Sequence, residues 1–105
     1  MIPANAPAPS PTIEERSTIL AGDYLNKLSG EHIEFECKQR LAAGCKELVV
    51  NFAETELVNS IGISILLGVI DIARNNGASV VFSEMNDDTF ELFEMLGLSK
   101  HVTIV

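Results

Sequence analysis

Short apolar runs and amphipathic segments alternate along the chain. Residues 17–22 (STILAG) predict a first strand that ends at a glycine, and residues 24–25 (YL) a very short second one. Turn-forming residues occupy positions 26–30. Residues 31–44 have apolar side chains at both strand and helix spacing, but good helix formers followed by a glycine favour a helix. Residues 47–52 (ELVVNF) then predict a buried strand.

The second half continues this alternation. Residues 59–77 predict a long helix that begins at an Asn-Ser pair and ends at Asn-Asn-Gly. Residues 78–85 predict a buried strand rich in β-branched side chains. Asp88 and Glu91 have the spacing of a capping box and predict a short helix, and residues 101–105 predict a last strand. Strands that alternate with helices in this way predict an α/β sandwich with a mainly parallel sheet.

The first segment differs from the rest in composition. Residues 1–12 (MIPANAPAPSPT) contain all 4 prolines and almost no large apolar side chain. Such a segment cannot bury enough apolar surface to fold, so we expect a flexible tail followed by one domain over residues 13–105. A chain of 105 residues has room for one hydrophobic core.

Charge and hydropathy exclude several classes of binding partner. The chain has 15 acidic and 7 basic residues, a net charge of -8, which argues against nucleic acid and anionic membranes. The longest apolar run, residues 61–70 interrupted by Ser64, is shorter than the roughly 20 residues of a membrane span, and no signal-peptide pattern begins the chain. We therefore expect a cytoplasmic protein. Cys37 and Cys45 are expected to be free structural thiols, and no metal or cofactor is expected.

The Asn59-Ser60 pair at the start of the long helix has two readings. Asn59 is a preferred N-cap residue, and a cap on a core helix would be enough to explain it. Ser60, however, would lie at the positive end of the helix dipole, after a strand of a parallel sheet, where α/β folds usually carry their sites. A phosphate on this hydroxyl would be stabilised there and would change the surface charge. The residues alone leave both readings open.

The helix itself also has two readings. From residue 61 to residue 73 only Ser64 and Asp71 are polar, so apolar side chains cover most of its circumference. Tight packing between the sheet and a second helix would explain this. Alternatively, Ile61 and Ile65 leave an exposed patch beside Ser60 where another protein docks.

Support for an enzyme is poor. His32 and His101 are far apart in the sequence, and no nucleophile motif or phosphate-binding loop is present. Glu54 and Glu56 have the i, i+2 spacing of solvated loop charges. Thr55 between them is a second candidate phosphoacceptor, although a solvated loop residue is the better interpretation. We expect no catalytic activity.

Three segments together carry a family resemblance. Residues 22–26 (GDYLN), 47–67 (ELVVNFAETELVNSIGISILL) and 95–105 (MLGLSKHVTIV) resemble the early turn, the central strand-loop-helix signature and the closing strand of a STAS domain. The resemblance covers residues 19–105. The family includes bacterial anti-sigma factor antagonists and the cytoplasmic tails of sulfate transporters. It implies a mixed, mostly parallel sheet of four to five strands faced by helices, and no catalysis.

In this family, antagonists regulate transcription by partner switching. The unphosphorylated antagonist binds a serine kinase of the histidine-kinase-like ATPase type that is also the anti-sigma factor. Phosphorylation of the signature serine breaks the complex, and a serine phosphatase restores it. The resemblance implies that Ser60 is the phosphoacceptor, with Asn59 in place of the usual Asp and Ile61 in place of a second Ser or Thr.

The same resemblance implies a partner-binding surface around Ser60. Its members are Glu56, Asn59, Ser60, Ile61, Gly62 and Ile63. Gly62 matches the signature glycine, and Ile63 matches the residue after it. One alternative is a phosphorylation-independent STAS scaffold or adaptor in a signalling or transport assembly. A homodimer is left open.

Overall fold

The computed structural model of the protein describes residues 15–105, within which strands and helices alternate. The predicted flexible tail, residues 1–12, lies outside the described residues. The strands are β1 (Arg16–Leu20), β2 (Tyr24–Leu25), β3 (Glu47–Asn51), β4 (Leu57–Val58), β5 (Ser79–Ser83) and β6 (Thr103–Ile104). The helices are α1 (Lys27–Ala42), α2 (Ser60–Asn75), α3 (Asp87–Met95) and a 3-10 turn at Leu98–Lys100.

Four strands form the main sheet in the order β1-β3-β5-β6. All three strand pairs are parallel, and Ile19, Val50 and Phe82 lie in register across the first three strands. Each crossover between neighbouring strands contains one helix. β2 and β4 form a separate parallel pair at residues 24–25 and 57–58. The predicted α/β fold with a mostly parallel sheet is therefore confirmed, while β4 lies in a segment that the sequence predicts to be a loop.

Aromatic rings and branched side chains fill the core between sheet and helices. Phe52, Phe82 and Phe93 meet edge to face, with ring centroids 5.2 to 5.7 Å apart. Leu66 and Ile70 of α2 are fully buried in the same cluster. Phe93 thus attaches α3 to the end of β5, and truncating a ring of this kind to alanine typically costs about 3–5 kcal/mol.

Helix α1 begins four residues earlier than the sequence predicts. The Ser29 N–H donates to Asn26 Oδ1 at 3.0 Å, and the Asn26 N–H donates to Ser29 Oγ at 2.9 Å, which is a capping box. Gly30 lies against Ile65, where an added Cβ would come within 3.1 Å of the Ile65 Cβ. The prediction of a turn over residues 26–30 is therefore wrong, because these residues cap α1 and let it approach α2 closely.

Helix α3 is capped by a different residue from the predicted one. Asn86 Oδ1 accepts a hydrogen bond from the Thr89 N–H at 2.7 Å, whereas Asp87 and Asp88 lie in the first turn. The predicted capping box between Asp88 and Glu91 is thus wrong. Both aspartates still favour the helix, because negative charge in the first turn opposes the helix dipole.

Candidate functional site

The first turn of α2 is closed by its own cap. Asn59 has an extended backbone, its Oδ1 accepts from the Ile61 N–H at 2.7 Å, and its carbonyl accepts from the Ile63 N–H at 3.1 Å. The predicted N-cap is confirmed. Ser60 follows as the first helical residue and is exposed to solvent. No acidic residue lies in this first turn, so the positive end of the helix dipole there is not neutralised from within the helix.

The segment that leads into α2 is fixed to the turn after β1. The Glu56 N–H donates to the Asp23 carbonyl at 2.9 Å, and the Asn59 N–H donates to the Leu25 carbonyl at 2.7 Å. The β2–β4 pair lies between these two bonds. Two of the three segments that carry the family resemblance, residues 22–26 and the loop before α2, are therefore adjacent in space, and together they set the position of Ser60.

Hydrogen bonds of the buried Thr55 stabilise the loop between β3 and α2. Only 3% of it is exposed, its hydroxyl donates to the Gly22 carbonyl at 2.6 Å, and its carbonyl accepts from Asn86 Nδ2 at 3.1 Å. The interpretation of Thr55 as a solvated residue is therefore wrong. Since its hydroxyl is buried and bonded, it is also a poor candidate for the second phosphoacceptor.

Gly62 allows the start of α2 to approach the main chain at the beginning of α1. A Cβ at this position would lie 2.8 Å from both the carbonyl carbon and the carbonyl oxygen of Leu25, which is closer than real Cβ atoms approach backbone. Gly62 and Ile63 are both buried. Of the six residues predicted to bind a partner, these two therefore offer almost no side-chain surface, and they contribute by positioning the helix.

Of the other four, Asn59 is half-buried at the cap, whereas Glu56, Ser60 and Ile61 are exposed. These three residues, together with the exposed Leu57, which is not among the predicted six, are here called the switch surface. Ile61 is 52% exposed and borders Ser60 directly in the chain. The switch surface combines a modifiable hydroxyl with apolar area and one carboxylate. Such a surface can bind a protein and can be altered by one charge-changing modification.

The outer side of α2 extends this apolar area. Leu67, two turns along the helix, is 42% exposed, and the smaller Ser64 and Gly68 lie exposed beside it. Ile65, in contrast, is only partly exposed and packs against Gly30 of α1. Both readings of this helix therefore apply, since one side packs against α1 and the core while the other leaves apolar groups uncovered.

The remaining candidate groups lie apart. His32 is exposed on α1, and His101 lies beside Ser79 and Val80 near β6. Cys37 and Cys45 are free and buried, and burial, with smaller contributions from Cys45 and Glu34, raises the pKa of the Cys37 thiol to about 11. Within residues 15–105, no three His, Cys, Asp or Glu side chains are grouped as metal ligands, and no helix is both long and apolar enough to cross a membrane.

Comparison with known proteins identifies the family. The family model of the STAS domain matches residues 14–105, so the chain belongs to the STAS domain family. No curated protein sequence matches the chain significantly.

Solved structures share the fold. The anti-sigma factor antagonist SpoIIAA in its unphosphorylated form superposes with a TM-score of 0.69 at 14% identity, over 89% of this chain and 81% of that one. The Bacillus cell fate determinant SpoIIAA in its phosphorylated form gives 0.68 at 16% identity, over 89% and 85%. The NMR structure of the protein TM1081 gives 0.77 at 12% identity, over 100% and 86%. At these identities the likeness shows the fold.

Proposed function

We propose that this STAS protein is a bacterial, cytoplasmic anti-sigma factor antagonist that acts by partner switching, with residues 13–105 as its domain. Its unphosphorylated form binds an anti-sigma factor serine kinase of the histidine-kinase-like ATPase type. Phosphorylation of Ser60 releases that kinase, and a serine phosphatase reverses the modification. The protein acts by binding and performs no catalysis.

The observation that carries this proposal is the position of Ser60. Its side chain is exposed at the first position of α2, and hydrogen bonds of Glu56 and Asn59 to the preceding turn hold the loop before it. A kinase can reach such a hydroxyl without unfolding the domain. The solved relative SpoIIAA, known in unphosphorylated and phosphorylated forms, supports a modification of this kind on this fold.

A phosphate on Ser60 would have opposite effects on the protein and on a complex. It would add a charge of about -1.5 to -2 next to a helix N-terminus, where anions are stabilised. In a complex the same charge would have to be desolvated next to the exposed apolar Ile61, and the exposed Glu56, four residues earlier in the chain, adds to the negative charge of this segment. Without a basic group on the partner, burying it would cost several kcal/mol, roughly the contribution of a binding hot spot.

Asn59 is compatible with this scheme. Its amide makes the capping hydrogen bond to the Ile61 N–H without bringing a negative charge. A dianionic phosphate on Ser60 therefore meets no carboxylate at the cap. We infer that the change from the usual Asp to Asn alters what a kinase recognises and leaves the local structure intact.

The first test is intact-mass analysis, with peptide mapping, of the protein isolated from its own cells during growth and during stress. A phosphate on Ser60 whose occupancy changes between the two conditions is the expected result. An unmodified Ser60 in every condition would contradict the switch.

The second test compares Ser60→Ala, Ser60→Asp and Ser79→Asp as baits in quantitative affinity purification from those cells. Ser79 is an exposed serine at the start of β5, outside the switch surface, so it controls for added charge. We expect the Ser60→Ala and Ser79→Asp baits to retain a kinase of the ATPase class and the Ser60→Asp bait to lose it. Equal recovery on all three baits would contradict the proposal.

A phosphorylation-independent scaffold is the second candidate, and the uncovered side of α2 favours it. Ile61 and Leu67 would then bind the partner while Ser60 only begins the helix. In that case Ile61→Ser and Leu67→Ser abolish the interaction, and Ser60→Asp leaves it unchanged. A partner that is a second copy of the chain would appear as a dimer in light scattering.

A further inference from the structure

A groove of about 870 Å³ lies beside the end of β1, between the β2–β4 pair and the first turns of α1. We call it the acid-rimmed groove. Its large apolar side chains are Leu20, Tyr24, Leu28 and Leu57, and its acidic rim consists of Asp23, Glu54 and Glu56. Ser60 is not among the lining residues.

The apolar lining is exposed to an unusual degree. Leu28 is 78% exposed, Leu20 and Leu57 are each 61% exposed, and Tyr24 is 39% exposed. These residues come from four different elements, namely β1, β2, α1 and β4. Single exposed apolar residues are ordinary, but several that converge on one concavity mark a binding surface.

The charge of the groove has one sign. Three carboxylates line it, and neither lysine nor arginine does so among the described residues. Within residues 15–105, His32 is the one basic side chain there. Carboxylates next to apolar walls concentrate negative potential, so the complementary occupant carries positive charge together with apolar side chains.

The high exposure of the lining side chains indicates that the occupant is a protein segment and not a small molecule. Small-molecule sites enclose most of the surface of their ligand. The leucines that line this groove stand largely in solvent, so a free small molecule would stay mostly uncovered. A segment of a partner protein is larger than a small molecule, and the rest of the partner can bury the side chains that line the groove.

We propose that the acid-rimmed groove docks a segment of a partner protein that presents large apolar side chains next to lysine or arginine. This inference goes beyond the proposed function, because the docking needs neither Ser60 nor a phosphate. Only Glu56 and Leu57 belong to both surfaces. Leu28 and Glu54 line the groove alone and Ser60 belongs to the switch surface alone, so variants at these positions distinguish a failure of the groove from a failure of the switch.

The test uses three fluorescein-labelled eight-residue peptides, in which Arg alternates with Leu, Glu with Leu, and Arg with Ser. Binding is followed by fluorescence polarisation and by ¹H–¹⁵N chemical-shift changes of the full chain. We expect only the Arg-Leu peptide to bind, with shifts at the residues that line the groove. Raising the salt from 50 to 500 mM weakens this binding, because the Debye length falls to a few ångströms.

Matched variants localise the site. Leu28→Ser and the double change Glu54→Gln/Glu56→Gln are each expected to weaken binding of the Arg-Leu peptide about tenfold, which is the scale of a single lost contact of this kind. The controls are Leu96→Ser and Glu84→Gln/Glu91→Gln, which make the same chemical changes at exposed positions outside the groove. We expect both controls to keep wild-type affinity. All the altered side chains are exposed, so circular dichroism should show an unchanged fold.

Five outcomes would overturn the proposal. Equal weakening by the two pairs of glutamate variants would mean that the peptide responds only to net charge, and equal weakening by the two leucine variants would mean that Leu28 is not at the binding site. Shifts confined to Ser60 and Ile61 would assign the peptide to the switch surface. Equally tight binding of phenethylamine would make the groove a small-molecule site. A dimer of the chain that Leu28→Ser dissociates, without peptide binding, would make the occupant a second copy.

Discussion

The buried hydroxyl of Thr55 donates a 2.6 Å hydrogen bond to the carbonyl oxygen of Gly22, and this bond joins the loop before α2 to the turn after β1. The Thr55 carbonyl in turn accepts from Asn86, the residue that caps α3. One side chain and its peptide group thus connect the carboxyl ends of β1 and β3 with the start of α3. The position of Ser60 depends on contacts made several residues earlier.

Thr55→Val should lower the free energy of unfolding by about 1–3 kcal/mol, because valine keeps the shape of the side chain but leaves the Gly22 carbonyl without its donor. Urea denaturation measures the effect. Thr55→Ser retains the hydroxyl and should stay closer to wild type, apart from the loss of one buried methyl group, about 1 kcal/mol. If the valine variant were as stable as wild type, the bond would not support the loop.

Two glycines of α2 give a matched pair. Gly62→Ala should destabilise the protein by about 1–3 kcal/mol, because its Cβ would lie 2.8 Å from the Leu25 carbonyl group and the backbone would have to move. Gly68→Ala, on the same helix, has no atom within 4 Å of the new Cβ and should stabilise by about 0.5–1 kcal/mol through helix propensity. Thermal unfolding of both variants is the measurement. Stabilisation by both variants would show that propensity and not packing decides at Gly62.

Hydropathy patterning predicts the succession of main-sheet strands and helices along the chain, because β1, β3, β5 and the helices are long enough to show their pattern. The start of α1 is missed because Asn, Ser and Gly serve equally in turns and in helix caps. The contact of Gly30 with Ile65 of another helix stabilises the helical alternative, and the local sequence does not contain that contact. The cap of α3 at Asn86 is missed because three consecutive polar residues, Asn86, Asp87 and Asp88, are all acceptable caps.

The candidate site is also predicted only in part, because some of its contacts join residues that are distant in the chain. Ser60 and the cap at Asn59 follow from local sequence, since capping involves atoms two or three residues apart. The burial of Thr55 depends on Gly22 and Asn86, which are distant in the chain, and a threonine between two glutamates gives no sign of it. The acid-rimmed groove likewise has no local signature, because its leucines come from separate elements.

Asn59 offers a test of the cap. Asn59→Ala should lower the stability by about 1 kcal/mol, since the Ile61 N–H loses its acceptor. Asn59→Asp keeps an acceptor and adds a charge that the helix N-terminus favours, so its stability should equal or exceed that of wild type by a few tenths of a kcal/mol. Chemical denaturation of both variants at low salt measures the difference. A destabilising aspartate would contradict the expected gain from the helix dipole.

The raised pKa of the Cys37 thiol leads to a prediction of how the free energy of unfolding depends on pH in the alkaline range. Burial, together with the neighbouring Cys45 and Glu34, raises its pKa from 9.0 to about 11 in the folded protein. The folded state therefore holds the proton more tightly than the unfolded state, and this contribution to stability is complete below pH 9 and is lost as the pH rises towards 11. A shift of this size corresponds to at most about 3 kcal/mol.

The measurement is the free energy of unfolding of wild type and of Cys37→Ala in steps from pH 7.5 to pH 11. Other groups titrate in this range in both proteins, so the quantity to follow is the difference between the two stabilities. Cys37→Ala removes a fully buried side chain and should be the less stable protein at neutral pH. Its deficit should shrink between pH 9 and pH 11. A deficit that stays constant across this range would mean that the Cys37 thiol ionises equally in the folded and unfolded chains.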